Sequence, residues 1–377
     1  MSALTITRTD GRARLAVLET GHGPVETPVF MPVGTQGAVK AILQRDLREM
    51  GVRMVLANAY HLFLRPGDAL IRDMGGIQRF SGWDGAVLTD SGGYQIFSLG
   101  VLRKIQEEGV TFQSHIDGSK HFLTPERIVE VQEHIGADVC MCLDECVAYP
   151  SSHEYTSASV GLTTRWAQRC RAVKNSSSLL FGIVQGGTYA DLRVRSACEL
   201  LELDFDGYAI GGLSVGEPKS VMWEMVDAAI GRLPPEKPRY LMGLGFPEDI
   251  VEGVKKGVDM FDCVIPTRHA RNGGLFTRTG GINIKHARYA RDEGPIDDAC
   301  RCYTCAHFSR AYLRHLFMTR ELTSYYLNTV HNLFFYTDLL SRIRAAIREG
   351  RFDGFCRDFT SVWKGGEAHD GSRICDG

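Results

Sequence analysis

The sequence contains no apolar run approaching the ~18 residues that a membrane-spanning helix requires, and its opening stretch, MSALTITRTDGRARL, carries charges where a secretion signal needs apolar residues. The expected location is therefore the cytoplasm. It has little net charge, 43 basic residues against 45 acidic for a sum of −2, so a nucleic acid could be held only by a local patch. Despite 41 glycines, neither GxGxxG nor GxxxxGK[ST] occurs between a strand and a helix, which leaves a nucleotide cofactor without support. The 11 cysteines are odd in number and thinly spread except for one group, the usage of reduced thiols and not of a disulfide scaffold.

What is present is an ordinary globular composition, 44% hydrophobic and 23% charged over 377 residues, enough for two domains or one large barrel with additions. Short apolar runs at Pro28–Val33, Met54–Ala57, Ala86–Thr89, Val139–Leu143, Leu179–Val184, Gly207–Ile210, Arg239–Met242 and Val258–Phe261 read as strands. Amphipathic stretches such as Arg193–Leu203 and Ser220–Arg232 lie between them, the alternation of a parallel sheet with helical crossovers. Eight such units suggest closure, although an open, doubly wound sheet fits the alternation as well. Val110–His115 and Lys120–Leu123 flanking Asp117-Gly118 read as an inserted hairpin, followed by a helix start at Thr124-Pro125-Glu126. After the eighth strand the alternation stops.

In a barrel, side chains just past the carboxyl ends of the strands converge on one mouth. Asp90 follows Ala86–Thr89, Asp144 follows Val139–Leu143, Asp262 follows Val258–Phe261, and Gln185 stands at the same level after Leu179–Val184. One such carboxylate alone is more often a helix cap or a solvated loop residue, but three in register favour a site. Paired carboxylates at one mouth suit chemistry at an anomeric carbon, one attacking while the other handles a proton. The small residues Ser91, Gly92 and Gly93 would let a planar ligand approach closely, and Tyr94 could stack on it or serve as a core aromatic.

Cys300-x-Cys302-x-x-Cys305 is a compact thiolate group that needs one imidazole to close a tetrahedral structural zinc site. His307, His315 and His331 could each supply it by spacing, and His331 would also clamp a following helix to the loop. From Arg268 to Arg320 there are ten Lys/Arg and four Asp/Glu, so this segment carries +6 and leaves −8 for the remainder. Phosphates held there would lie beside Asp262.

The motifs Thr89-Asp90-Ser91-Gly92-Gly93-Tyr94-Gln95, Asp144-Glu145-Cys146, Gln185-Gly186-Gly187, Gly211-Gly212-Leu213, Phe261-Asp262 running to Pro266-Thr267-Arg268, and the cysteine group with His331 stand in an order and spacing that resemble the tRNA-guanine transglycosylase, or queuine tRNA-ribosyltransferase, family over nearly the whole chain. The resemblance implies an α/β fold, a (β/α)8 TIM-type barrel over 1–266 with an inserted β-hairpin, and a C-terminal zinc-binding, tRNA-contacting subdomain with closing helices over 267–377. It implies exchange of the wobble guanine of target tRNAs for a 7-deazaguanine, with Asp262 as nucleophile and Asp90 as general acid/base. Asp144, Gln185 and Gly212 would read the base edge, with Leu213, Tyr94 and Met242 packed around its plane. Gly243, Leu244, Gly245, Phe246, Pro247, Glu248 and Asp249, together with Thr267, Arg268, His269, Ala270 and Arg271, align with the RNA-contacting stretches, and Cys300, Cys302, Cys305 and His331 with the zinc ligands. Cys146 and Val215 resemble the bacterial form, whose base is 7-aminomethyl-7-deazaguanine (preQ1), and family members are homodimers. An archaeal-type relative that modifies a different tRNA position is not expected, since the residues after the metal ligands do not read as an extra RNA-binding domain. Two other readings are a non-catalytic RNA-binding subunit, against which the retention of Asp90 and Asp262 argues, and a zinc-dependent barrel hydrolase, which would need an open metal position.

Overall fold

The computed structural model describes residues 3–98 and 103–363. Strands β1 (Leu4–Asp10), β2 (Ala13–Leu18) and β3 (Val25–Thr27) form an antiparallel sheet. The chain then enters β4 (Val29–Gly34), β5 (Met54–Ala57) and β6 (Ala86–Thr89), the first three staves of the barrel. An excursion follows as β7 (Arg103–Gln106), β8 (Gly109–Gln113) and β9 (Lys120–Leu123). The barrel resumes with β10 (Val139–Met141), β11 (Leu179–Val184), β12 (Gly207–Ile210), β13 (Arg239–Leu241) and β14 (Met260–Cys263). All eight staves pair in parallel, and β14 returns to β4 to close the ring. Closure excludes the open-sheet alternative.

The interior follows from side-chain alternation. Val29 and Met31, Met54 and Leu56, Ala86 and Leu88, Val139 and Met141, Phe181 and Ile183, Ala209, Tyr240 and Met260 form one cluster, with Leu4, Ala16, Leu18 and Val25 of the first sheet packed into it. That sheet was not foreseen, because its first strand mixes apolar with charged, half-exposed positions. Outward-facing residues meet the helices in a second, larger cluster.

Four staves occupy the expected residues, and the others need adjustment. The eighth runs Met260–Cys263 and not Val258–Phe261, so Asp262 lies inside the strand, opposite Met31. Val258 and Asp259 precede it. Asp259 is fully buried and receives Arg14 at 3.0 Å, a contact that fixes the strand's entry. The fourth stops at Met141, placing Asp144 three residues beyond its end. The expected hairpin is present as β8 and β9, extended to three strands by β7. The foreseen helix is Pro125–Ile135, capped by Thr124, whose Oγ1 accepts from Arg127 N at 3.2 Å.

Past the barrel, β15 (Gly274–Thr277) and β16 (Gly280–Asn283) make a hairpin beside the cysteine loop. The helix Leu322–Arg348 joins the two regions. Its early residue Leu327 packs with Leu275, Ile284, Cys302, Cys305 and Leu313, whereas Leu333 to Ile347 pack with the barrel's outer cluster.

Candidate active site and metal centre

Continuing each stave's inward alternation by two residues past the last buried layer gives the composition of the mouth: Asn58 after Leu56, Asp90 after Leu88, Gln185 after Ile183, Met242 after Tyr240 and Asp262 after Met260. All but half-buried Met242 are buried. Polar groups at that depth need partners, and the partners order the site.

Asp262 accepts from the Tyr240 hydroxyl at 2.6 Å and from Gly243 N at 2.8 Å, both on Oδ1, leaving Oδ2 without a bond among the described residues. Burial raises its pKa, opposed by those two bonds. Asp90 accepts from Asn58 Nδ2 at 2.6 Å and from Ala59 N at 3.0 Å. Burial pushes its pKa up to about 7, and the charges of Asp262 and Asp144 push the same way against bonds from Ala59 and Gly92. The carboxylates at 90 and 262 therefore share one electrostatic site. A carboxyl titrating near neutrality beside one with a free oxygen can trade a proton while the other attacks.

Asp144 reaches the same mouth from its longer loop. Its Oδ1 accepts from Ser91 Oγ at 2.8 Å and its Oδ2 from Gln185 Nε2 at 2.7 Å. The other amide atom, Gln185 Oε1, is buried without a hydrogen-bond partner among the described residues. Two close approaches require glycine. A Cβ at Gly93 would stand 2.5 Å from Asp144 Oδ1, and one at Gly212, with φ +63°, 2.3 Å from Gln185 Oε1. Gly92 is buried and Leu213 packs in the outer cluster, while Tyr94 is 39% exposed at the rim.

The RNA-facing candidates divide by exposure. Leu244, Gly245, Pro247, Asp249, Thr267 and Ala270 are buried. Gly243 is exposed, and Phe246, Glu248, Arg268, His269 and Arg271 are half-buried. Gly245 O accepts from the Tyr336 hydroxyl, and Lys219 binds Asp249 at 2.8 Å, so this stretch also ties the barrel rim to the C-terminal helices. Four residues of consequence were missed by the sequence reading. Tyr240 and Asn58 sit in or just after apolar runs and read as core, Lys40 is a lone cation, and Arg193 looks like an ordinary helix residue. Alternation would have found the first two. The ammonium of exposed Lys40 is lowered by partial burial and then by the Arg271 and Arg268 charges, which groups the three cations at the mouth.

Cys300, Cys302, Cys305 and His331 bring their ligand atoms within 4.8 Å of one another. His331 Nδ1 lies 3.8, 3.6 and 3.3 Å from the three Sγ atoms in chain order, and its Nε2 donates to Phe276 O at 2.6 Å. That bond fixes the tautomer with Nδ1 as the lone pair facing the sulfurs. Three thiols and one imidazole at this spacing fit a closed tetrahedral zinc site, with no position for substrate.

A profile of the family described as queuine tRNA-ribosyltransferase matches residues 9–365. The chain belongs to that family. Among curated relatives named queuine tRNA-ribosyltransferase, that of Solidesulfovibrio magneticus is 55% identical over 95% of this chain and 97% of its own length. Those of Pelotomaculum thermopropionicum and Desulforamulus reducens are 57% and 55% identical over 94% of this chain and 96% of theirs. Membership is thus shown over both the barrel and the cysteine region.

Proposed function

We propose that this queuine tRNA-ribosyltransferase family member, a pentosyltransferase, exchanges the wobble guanine of target tRNAs for preQ1 through a covalent tRNA–aspartyl intermediate. Asp262 Oδ2 attacks C1′ of the ribose as the C1′–N9 bond breaks, and the bond's electron pair leaves with the base. Asp90, protonated near neutrality, delivers its proton to the departing guanine. The incoming base returns a proton to the Asp90 carboxylate, its ring nitrogen bonds C1′, and Asp262 is released. Two displacements retain the configuration. The wobble nucleotide must leave the anticodon stack to reach a carboxylate at this depth.

The observation that carries this reading is the pair of buried carboxylates, Asp262 held through Oδ1 alone among the described residues and Asp90 raised to about 7. Asp144, Gln185 and Gly212 supply the base edge, the unpartnered Gln185 Oε1 being an acceptor that waits for an N–H donor. Buried Cys146 and half-buried Val215 leave the small-residue surroundings suited to an aminomethyl group. Zinc would be held by the three cysteines and His331, where it fastens the loop to the long helix and takes no part in bond exchange. The proposal includes a cytoplasmic homodimer, to be measured by light scattering.

The test is release of radiolabelled guanine from undermodified tRNA on addition of preQ1, with a tRNA adduct trapped on denaturing gels. Wild type should give both and Asp262→Ala neither. Wild type giving neither would leave the non-catalytic RNA-binding reading.

A further inference from the structure

Arg193 is the fourth residue of the helix Ala190–Leu201 and is fully buried. Its Nε donates to Gly187 O at 2.9 Å, its Nη1 to Val184 O at 3.0 Å and Gly211 O at 2.6 Å, and its Nη2 to Gly212 O at 3.1 Å. Every one of these bonds ends on a main-chain carbonyl, of the last residue of β11 or of the loops leaving β11 and β12 that bear Gln185 and Gly212. Burial drives the guanidinium pKa down to about 10, the Cys146 and Glu217 charges opposing, so the cation sits where water cannot replace its partners. A planar fork with fixed donor directions can hold four carbonyls from two loops at once, and an ammonium cannot.

The carbonyls it holds decide where other groups point. In a trans peptide the carbonyl and the following N–H face opposite ways. With Gly211 O and Gly212 O turned to the guanidinium, the N–H groups of Gly212 and Leu213 are turned away from it. Neither donates to any group among the described residues. On the neighbouring loop, after β11, Gln185 Oε1 is also without a partner among the described residues and stands 2.3 Å from where a Gly212 side chain would begin. Two free donors turned by the guanidinium and one free acceptor held by the Gln185–Asp144 bond, all buried or nearly so, describe an edge awaiting a complementary heterocycle.

We propose that Arg193 is the positioning residue that sets base discrimination. It touches no base, and it aims the Gly212 and Leu213 N–H groups so that the site demands a hydrogen-bond acceptor, such as the exocyclic oxygen of guanine, and rejects an amino group in its place. This rests on the reading that Gln185 and Gly212 line the base site.

Arg193→Lys keeps the charge and loses the fork. In tRNA labelling assays its KM for guanine should rise at least ten-fold. The preference for guanine over 2,6-diaminopurine, taken as the inhibition constant of the latter over the KM of the former, should fall at least five-fold. KM for tRNA should stay within two-fold and the Asp262 adduct should still form. A purely structural loss would reduce the active fraction and leave discrimination unchanged, and that result overturns the proposal. Should the variant not fold, hydrogen exchange on the wild type decides: guanine must slow exchange at the Gly212 and Leu213 amides, and unchanged rates there overturn it. Failure of the wild type to incorporate guanine at all sinks the base-exchange reading and this inference with it, whereas incorporation with unaltered discrimination in Arg193→Lys sinks this inference alone.

Discussion

Tyr240 and Asp262 stand on adjacent staves of the barrel, two residues in from the mouth on one side and at it on the other, and the phenol donates to Asp262 Oδ1 across 2.6 Å. The same oxygen accepts from Gly243 N, so the carboxylate is anchored on one side and open on the other. Burial raises the pKa of Asp262, and the Tyr240 bond works against that rise. In Tyr240→Phe the pKa therefore climbs further. Bonds to charged groups are worth about 1.5–3 kcal/mol, so adduct formation near pH 6 should slow by about ten-fold or more and recover partly at pH 8. Rapid-quench measurement of the tRNA adduct against pH checks this, and an acid limb that does not move would remove Tyr240 from the account.

Asp90 should cost the fold stability when ionised. Its folded pKa, about 7, lies above the ordinary carboxyl value, chiefly through burial. The sign follows from linkage: the folded state binds the proton more tightly than the unfolded state, so this contribution is complete below the unfolded pKa near 4 and is lost as pH rises through about 7. Asp90→Asn should thus be more stable than wild type at pH 8, by about 1 kcal/mol after the weakened Asn58 and Ala59 bonds are counted, with the gap closing toward pH 4. Guanine exchange should be abolished. Thermal unfolding at the two pH values measures the first and label release the second.

Loss of metal from the Cys300, Cys302, Cys305 and His331 site should loosen one end of the Leu322–Arg348 helix. His331 is fully buried and bonded to Phe276 O, and Asn332 Nδ2 holds Pro266 O at 2.9 Å and Gly274 O at 3.0 Å, so the loop, the hairpin and the segment after Asp262 share one helix turn. Elemental analysis should give one zinc per chain. Cys302→Ser should remove it and lower Tm by about 5 °C or more, raising KM for tRNA more than KM for the base. Full activity in zinc-free protein would contradict this.

Much of the architecture was legible because buried parallel staves are continuous apolar runs: Met54–Ala57, Ala86–Thr89, Leu179–Val184 and Gly207–Ile210 have the bounds that their residues suggest. The β7 strand was not, since Arg103-Lys104-Ile105-Gln106 carries two cations and shows no run. Val258-Asp259 misled in the other direction, a buried pair outside the strand, with Val258 packed in the outer cluster and Asp259 bonded to Arg14, 245 positions away. The site divides in the same way. Asp90 and Asp262 announce themselves as carboxylates at strand ends, whereas Arg193 acquires its meaning only when two loops distant in sequence bring four carbonyls to it.

The cations at the mouth offer a prediction that depends on salt. Exposed Lys40 lies near enough to Arg271 and Arg268 for their charges to lower its pKa, after the larger effect of burial. Arg271 is itself lowered by burial and by Arg268. Like charges held together in this way disfavour one another until an anion arrives, so phosphates of the anticodon loop should relieve them. Each cation that engages a single-stranded phosphate contributes about 0.7 to the slope of log affinity against log salt. Lys40→Ala and Arg271→Ala should each lower that slope by about this amount and weaken tRNA binding several-fold at moderate salt, leaving KM for guanine unchanged. Filter binding across a salt series measures both quantities. A slope untouched by Arg271→Ala would place the RNA backbone on another face of the barrel, even if exchange itself were intact.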